Sequence, residues 1–244
     1  MNLGIIIQAR MGSTRLPNKV LRPFYREESI LAILIKKLQR LDFPIHVATS
    51  TARANDAVEE LADKLGVACF RGDEQNVLSR FLAIGEVENY THIVRVCADN
   101  PFLSVGLVQQ LYENLEAETD YLSFRYQDTP VILTHFGVFA EIVRVAALKK
   151  VIDDLFYQEH VTNYIYQHPA AFQLNWMPVD ESLFFSDGIR LTVDTLEDFE
   201  LAQQIYADLA AEHKDFDLVE LFQYLKTKPI LLQQMQAAIQ YNQK

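Results

Sequence analysis

The sequence has few cysteines, few cations and no long apolar run. Only two cysteines, Cys69 and Cys97, occur in 244 residues, which excludes a disulfide framework and offers no metal-ligand spacing. Lysine and arginine total 22 against 33 acidic residues, a net charge of −11, and this disfavours nucleic-acid partners, which select a basic face. No stretch is long enough to cross a bilayer, and no signal-peptide pattern opens the chain. We therefore predict a cytoplasmic protein without a membrane partner.

Apolar runs alternate with amphipathic segments through the first hundred residues. The runs typical of strands are LGIIIQA, FPIHVATS, VACF and HIVRVCAD, and the segments typical of helices are SILAILIKKLQRL, NDAVEELADKLG and NVLSRFLAIGEVE. This alternation predicts an α/β fold with a doubly wound, mostly parallel sheet. In such sheets ligands bind beyond the carboxyl ends of the strands.

The second half is less regular. Its predicted strands are DYLSF, FQLNWMPV and GIRLTVD, and its predicted helices are VGLVQQLYENLEAE, EHVTNYIYQH and TLEDFELAQQIYADLAAE. The tail PILLQQMQAAIQYNQK is typical of a weakly amphipathic helix on the surface or at a subunit contact. There is no repeat, low-complexity segment or linker, so we predict one domain over residues 1–244.

A loop with three cations follows the first strand. The segment QARMGSTRLPNK carries Arg10, Arg15 and Lys19, but matches neither the Walker A loop nor a dinucleotide-binding turn. Gly12 and Ser13 would let the backbone approach a phosphate, and the cations would neutralise it. A triphosphate is therefore the candidate ligand. The alternative is a surface loop whose cations pair with nearby acids.

Two aspartates lie where predicted strands end. Asp99 closes HIVRVCAD, and a carboxylate leaving a buried strand is costly unless it is solvated, paired or bound to a cation. The alternative for Asp99 is a turn or helix cap. Asp194 precedes Thr195 and Asp198, which have the spacing of a capping box. A polar residue just before such a cap indicates a role other than packing.

The motif QARMGSTRLPNKVL resembles the opening signature of the cytidylyltransferases that activate acidic sugars, acylneuraminate and 3-deoxy-manno-octulosonate among them. The spore-coat polysaccharide biosynthesis branch is the most similar, and it shares, in order, VATS, FRGDEQNVLSRF, VRVCADNPFL, EHVTNYIYQHP and RLTVDTLEDFEL. The resemblance implies a nucleotidyltransferase fold of the glycosyltransferase A-like, nucleotide-diphospho-sugar transferase type. It also implies CTP, Mg²⁺ and a homodimer, with a nucleotide half over about 1–105 and an acceptor half over about 106–244.

The resemblance also assigns roles to individual residues. It implies that the triphosphate is bound by Arg10, Gly12, Ser13, Arg15 and Lys19, with Lys19 at the α-phosphate, where electrostatic stabilisation matters most. It implies that Asp99 binds Mg²⁺, a hard cation that prefers oxygen ligands, and that Asp194 is a second ligand. Arg10, Lys19 and Asp99 are thus the predicted catalytic residues.

Further residues are placed less directly by the same resemblance. Those expected near the nucleotide are Arg71, Arg80 and the strand end from Ala48 to Ser50, and those expected near the sugar are Glu141, His160 and Arg190. From residue type alone, Arg80 suits a solvated helix position and His160 a structural one. The chain departs from the branch at Asn100, Ser104 and Phe139, which replace a cysteine and two acids, so the sugar stays open.

We therefore predict transfer of CMP from CTP to a sugar, an acidic one by resemblance, for surface polysaccharide or glycan synthesis, with release of pyrophosphate. One alternative is a glycosyltransferase that uses a nucleotide-sugar donor. Such enzymes typically carry an Asp-x-Asp motif, which CADNPF does not supply. The other alternative is a non-catalytic nucleotide-binding homologue.

Overall fold

A computed structural model describes residues 1–181, 184–186, 188–213 and 215–241. It contains an eight-stranded sheet in the order β10-β7-β9-β6-β1-β4-β5, with β8 paired to β7, and a separate two-stranded hairpin, β2-β3. The strands are β1 Leu3–Gln8, β2 Pro23–Tyr25, β3 Glu28–Ser29, β4 Ile45–Ser50, β5 Ala68–Gly72, β6 His92–Cys97, β7 Tyr121–Tyr126, β8 Thr129–Pro130, β9 Glu141–Arg144 and β10 Leu174–Pro178.

Most neighbouring strands of the large sheet are parallel. β1 pairs in parallel with β4 and β6, β4 with β5 and β7 with β10, whereas β9 runs antiparallel to β6 and β7. Gln8 at the end of β1 pairs with Ala48 on one side and Cys97 on the other. Three strands therefore end at one edge, and the predicted α/β fold with a mostly parallel sheet is confirmed.

Helices cover both faces of this sheet. They are α1 Ile30–Leu38, α2 Asp56–Lys64, α3 Val77–Val87, α4 Val105–Glu113, α5 Val145–Leu148, α6 Leu155–Glu159, α7 Asn163–Gln167, α8 Leu196–Glu212, α9 Leu218–Lys226 and α10 Pro229–Tyr241. One core cluster joins the sheet to α1, α4, α8 and α9, and a second joins it to α3, α5 and α7. Among the described residues, no helix has the length and apolarity to span a membrane.

Local signals explain where several helices begin. The side chain of Ser29 accepts a hydrogen bond from Ala32 N at the start of α1. The predicted capping box of Thr195 and Asp198 is present at the start of α8, with both reciprocal hydrogen bonds.

Both cysteines are free, and burial raises the pKa of the Cys69 and Cys97 thiols to about 11.

Two predicted elements differ from the structure, and one helix was not predicted. The segment 188–194 is not a strand, because Leu191 N donates to His135 O and Val193 N to Asp99 O, so its bonds go to two different segments. The predicted helix EHVTNYIYQH, residues 159–168, is helical only over α7, since its first residue, Glu159, is the last residue of α6. The tail helix is α10, whose last predicted residues, 242–244, lie outside the described residues. α9 was not predicted.

Lys37 supplies a prediction about stability. Its Nζ donates to Pro101 O at 3.0 Å, and burial lowers its pKa to about 8, an effect that Arg40 increases and Asp215 opposes. Between pH 8 and about 10.5, Lys37 is protonated in the unfolded chain but has lost its proton in the native protein. The free energy of unfolding therefore increases with pH over this range. Lys37→Met should therefore raise the free energy of unfolding at pH 7 by on the order of 1 kcal/mol.

Urea unfolding of wild type and Lys37→Met at pH 7, 8, 9 and 10 measures this effect. The difference between the two proteins should shrink as pH rises, because the wild-type lysine loses its charge. Lys36→Met is the matched control, since Lys36 is exposed and pairs with Glu28 at the surface. A difference between wild type and Lys37→Met that does not change with pH would contradict the prediction.

Candidate active site

The cation loop, residues 9–19, is fixed at the edge where β1, β4 and β6 end. Within it, Ser13 N and Asn18 N both donate to Met11 O, at 2.9 and 3.1 Å, and Asn18 adopts φ +62°, which asparagine tolerates. Met11 N donates to Asn55 Oδ1 at 2.8 Å, which ties the loop to the turn after β4. The loop is therefore held in one shape by its own backbone and by a neighbouring buried asparagine.

Lys19 lies between the two predicted metal ligands. Its Nζ is 2.9 Å from Asp99 Oδ2 and 3.6 Å from Asp194 Oδ1, and it donates to Val193 O at 2.6 Å. Lys19 is 8 % exposed, so this ammonium is held in a low-dielectric site by two carboxylates and a carbonyl. Cation loop and carboxylates, predicted separately, meet at one point.

The backbone explains how two distant aspartates meet. Asp99 follows β6, and its carbonyl accepts from Val193 N at 2.9 Å, which places Asp194 beside the end of that strand. Arg15 reaches the same carboxylate, with Nη2 2.8 Å from Asp194 Oδ1. Two cations of the loop thus converge on one aspartate.

Arg190 is buried next to Asp194 and Asp198 and donates hydrogen bonds to both carboxylates. It donates to both Asp198 oxygens at 2.7 Å, to Asp194 Oδ2 at 3.3 Å, and contacts His135 Nδ1 at 2.9 Å. Burial raises the pKa of Asp198, but the hydrogen bonds and charge of Arg190 outweigh it, so that pKa is lowered overall. At 4 % exposure, Arg190 is placed to position Asp194, and its predicted contact with substrate stays a prediction.

The cation loop contacts both α6 and the loop after β5. Arg10 Nη2 is 2.9 Å from Glu159 Oε1 on α6, which links the nucleotide half to the acceptor half. A Cβ on Gly12 would lie 3.3 Å from Glu74 Oε1, so the loop after β5 stands against the cation loop. Arg80 donates to Asp73 O and Glu74 O, at 2.7 and 2.8 Å, and fixes that loop.

The interpretation of Arg80 as a solvated helix residue is wrong. Arg80 is fully buried, because its guanidinium donates hydrogen bonds to backbone carbonyls of the loop that precedes α3. Burial lowers its pKa, and the nearby charge of Arg10 lowers it further. Asp73 and Glu74 oppose this lowering, so acidic side chains of the same loop partly offset the charge of the two arginines.

Arg71 forms ion pairs and hydrogen bonds with residues of the nucleotide half. It forms ion pairs with Asp56 and Glu59, each at 2.7 Å, and donates to Ser50 O and Ala52 O, both at 3.2 Å. Arg71 therefore shapes the end of β4, where the resemblance places the base. Its direct contact with a nucleotide stays a prediction.

The acceptor-side predictions lie in two different environments. Glu141 is 1 % exposed, and its carboxylate accepts hydrogen bonds from Arg95, Tyr121 and Thr162. His160 is exposed, with its ring 4.7 Å from that of Phe156. Glu141 is thus placed to support the sheet beneath the site, and a role for either residue in binding sugar stays a prediction.

The buried ion pair and hydrogen bond of Arg95 were not predicted from the sequence. Arg95 interrupts the apolar run HIVRVCAD, and the structure pairs it with Glu141 and, at 3.2 Å, with Gln8 Oε1. A charge inside a strand buried on both faces must have a buried partner, so this position was a usable signal. The roles of His135 and Glu159 had no comparable local signal.

The two aspartates fit a magnesium ion better than a dedicated metal cage. Among residues 1–181, 184–186, 188–213 and 215–241, no group of three or more histidine, cysteine or acidic side chains could hold a metal ion. Mg²⁺ is usually bound by one or two carboxylates together with waters and substrate phosphates. Asp99 and Asp194 offer that donor set, and the lysine between them marks the position as favourable for a cation.

A sequence model described as Cytidylyltransferase matches residues 4–241. The chain belongs to the cytidylyltransferase family. Spore coat polysaccharide biosynthesis protein SpsF of Bacillus subtilis is 34% identical over 236 residues, which cover 92% of this chain and 94% of that protein. A 3-deoxy-manno-octulosonate cytidylyltransferase of Aeromonas salmonicida is 29% identical over 122 residues, 48% of this chain and 47% of its own length.

The fold is shared with a solved cytidylyltransferase. A structure from Leptospira borgpetersenii serovar Hardjo-bovis superposes with a TM-score of 0.82 at 28% identity, covering 96% of this chain and 97% of that one. The predicted resemblance and the nucleotidyltransferase fold are therefore confirmed. As a family member, this cytidylyltransferase is a nucleotidyltransferase enzyme.

Proposed function

We propose that this enzyme transfers CMP from CTP to an acidic sugar with the help of Mg²⁺ and releases pyrophosphate. The observation that carries the proposal is the position of Lys19 between Asp99 and Asp194, with Arg15 on the second carboxylate. Cations and oxygen ligands within about 4 Å of each other are the components that nucleotidyl transfer needs. The similarity to a 3-deoxy-manno-octulosonate cytidylyltransferase supports an acidic sugar.

In the proposed reaction a sugar hydroxyl attacks the α-phosphorus in line. The new oxygen–phosphorus bond forms as the bond to the β-phosphate bridge breaks, pyrophosphate leaves with the bond electrons, and the hydroxyl proton passes to solvent. Lys19 stabilises charge on the α-phosphate, while Arg10 and Arg15 bind the β- and γ-phosphates. Asp99 and Asp194 would hold Mg²⁺, which supplies charge neutralisation to the phosphates.

The cations of the loop already have carboxylate partners. Arg10 pairs with Glu159, Arg15 with Asp194 and Lys19 with Asp99. A bound triphosphate would replace the two aspartate pairs, because its oxygens would accept hydrogen bonds from Arg15 and Lys19, and Asp99 and Asp194 would then hold Mg²⁺. This exchange explains how an acidic protein keeps a site for a polyanion without leaving cations unpaired.

Pyrophosphate release tests the proposal. Wild type with CTP and Mg²⁺ is assayed with 3-deoxy-manno-octulosonate, with an acylneuraminate, and with neutral hexoses. We expect release with an acidic sugar, and a rise in melting temperature with CTP that needs Mg²⁺, because a ligand that binds the native state stabilises it. ATP, GTP and UTP are the matched nucleotide controls.

The other outcomes separate the alternatives. No pyrophosphate with any sugar, but sugar transfer from a nucleotide-sugar donor, would favour the glycosyltransferase. A CTP-dependent rise in melting temperature with no turnover would favour the non-catalytic homologue. The homodimer and the cytoplasmic location stay predictions. The exposed apolar side chains that a subunit contact could cover include Leu155, Phe156 and Ile230.

A further inference from the structure

A small polar cavity adjoins the carboxylate pair. It has a volume of about 50 Å³ and is lined by Asn100, Ser123, Thr192 and the turn that contains Gly137. Asn100 follows Asp99 directly, and Thr192 is two residues before Asp194. The hydrogen bond from Val193 N to Asp99 O joins the two segments, so the cavity lies beside the segments that carry the proposed metal ligands.

Three polar atoms of this cavity lack an ordinary hydrogen-bond partner, whereas the hydroxyl of Thr134, which also lines it, donates to Val131 O. Asn100 Oδ1, Ser123 Oγ and Thr192 Oγ1 are buried and make no hydrogen bond of ordinary length and angle with any described residue. Asn100 is 8 % exposed and Ser123 fully buried. Ser123 Oγ lies near the phenol of Tyr121, which donates its own proton to Glu141. Buried polar groups are normally paired, so these three indicate a missing partner.

The lining decides what kind of group fits. No charged side chain is found among the described residues that line the cavity, and its other lining residues are Val131, Ile132, Thr134, Phe139 and Ala140. A carboxylate or an ammonium would be costly there, because nothing compensates its lost hydration. A neutral hydroxyl can donate to Asn100 Oδ1 and accept from a serine or threonine hydroxyl. The volume suits a hydroxymethyl group or a few waters.

We propose that this cavity receives a neutral hydroxyl-bearing end of the acceptor sugar, through Asn100, Ser123 and Thr192. The proposal rests on the proposed function, since it places one part of the acceptor of that reaction. It also requires the sugar's carboxylate to lie outside the cavity. The cavity thus selects the acceptor by its uncharged end.

Thr192→Val and Ser123→Ala test the proposal, because each removes a hydroxyl while changing the shape little. The acceptor is whichever acidic sugar gives the highest rate of pyrophosphate release with wild type, starting with 3-deoxy-manno-octulosonate. Each variant should raise the KM for that acceptor about tenfold, the loss expected for one hydrogen bond. The KM for CTP and the CTP-dependent rise in melting temperature should stay within twofold of wild type. Thr129→Val, at an exposed threonine of β8, is the control.

Acceptor analogues that each lack one hydroxyl make the test specific. For the analogue that lacks the inserted hydroxyl, Thr192→Val should cost nothing further, because the bond it removes is already absent. If the acceptor KM of both variants stays at the wild-type value, or their cost is the same for every analogue, the cavity holds only water and the proposal is wrong. No pyrophosphate release by wild type with any acidic or neutral sugar would instead reject the proposed function, and the cavity assignment with it.

Discussion

Replacing Lys19 with methionine should lower the rate of pyrophosphate release by about a thousandfold, the loss typical of a positioned transition-state donor. Methionine keeps most of the length of the side chain but removes the charge that we place at the α-phosphate. The ammonium donates to Val193 O at 2.6 Å, and this contact can hold it in place when the phosphate replaces Asp99. The expected loss is mainly in kcat, because charge on the transferring phosphate grows in the transition state.

A second measurement separates the loss of the lysine from misfolding. In the Lys19→Met variant Asp99 and Asp194 lack the ammonium between them, so Mg²⁺ alone should raise its melting temperature more than that of wild type. Lys36→Met is the matched control and should keep wild-type turnover. Near-normal turnover of Lys19→Met would contradict the assignment, and an equal Mg²⁺ response in both proteins would argue against metal binding at these aspartates.

The parts of the site that the sequence predicted are those with local signals. The cation loop follows a strand with three consecutive isoleucines, and Asp99 follows the end of another strand, so their meeting at one sheet edge follows from the parallel alternation of elements. The capping box that Thr195 begins could be predicted because its hydrogen bonds lie within four residues. Each of these inferences needed only the strand or helix that contains the residue.

The parts that could not be predicted depend on contacts between distant segments. The buried ion pair of Arg190 could not be predicted, because nothing in its own sequence shows that Asp198 and His135 surround it. The segment 188–194 has a strand-like pattern, but its backbone bonds go to Asp99 and to His135 instead of to one strand. Gly137 illustrates the same limit, since a Cβ there would lie 2.8 Å from the carbonyl carbon of Leu191, a contact visible only in three dimensions.

Arg190→Met should lower the free energy of unfolding by about 3–5 kcal/mol, because removing one partner of a buried ion pair leaves the other charge uncompensated. The side chains of Arg190 and Asp198 are 1% and 4% exposed, so water cannot replace the lost hydrogen bonds. Urea unfolding at pH 7 measures the loss. The double variant Arg190→Met with Asp198→Asn is the matched control, and it should recover part of the lost stability because the unpaired charge is gone.

The pH dependence of the same variant identifies the cause. In wild type Arg190 holds the pKa of Asp198 below its usual range, so this pair stabilises the fold above the unfolded pKa and the stabilisation is lost as pH falls through the native pKa. Without the arginine, burial, which raises the pKa of Asp198, is opposed only by the backbone hydrogen bonds from Asp194 and Thr195, so the native variant takes up a proton more readily than native wild type. The stability difference between wild type and Arg190→Met should therefore shrink from pH 7 to pH 5. A difference that stays constant over that range would show that Arg190 stabilises the fold by packing and not by charge.

Because Asp194 also pairs with this arginine, turnover of Arg190→Met at pH 7 should also fall. Such a loss would connect the buried pair to the proposed reaction centre.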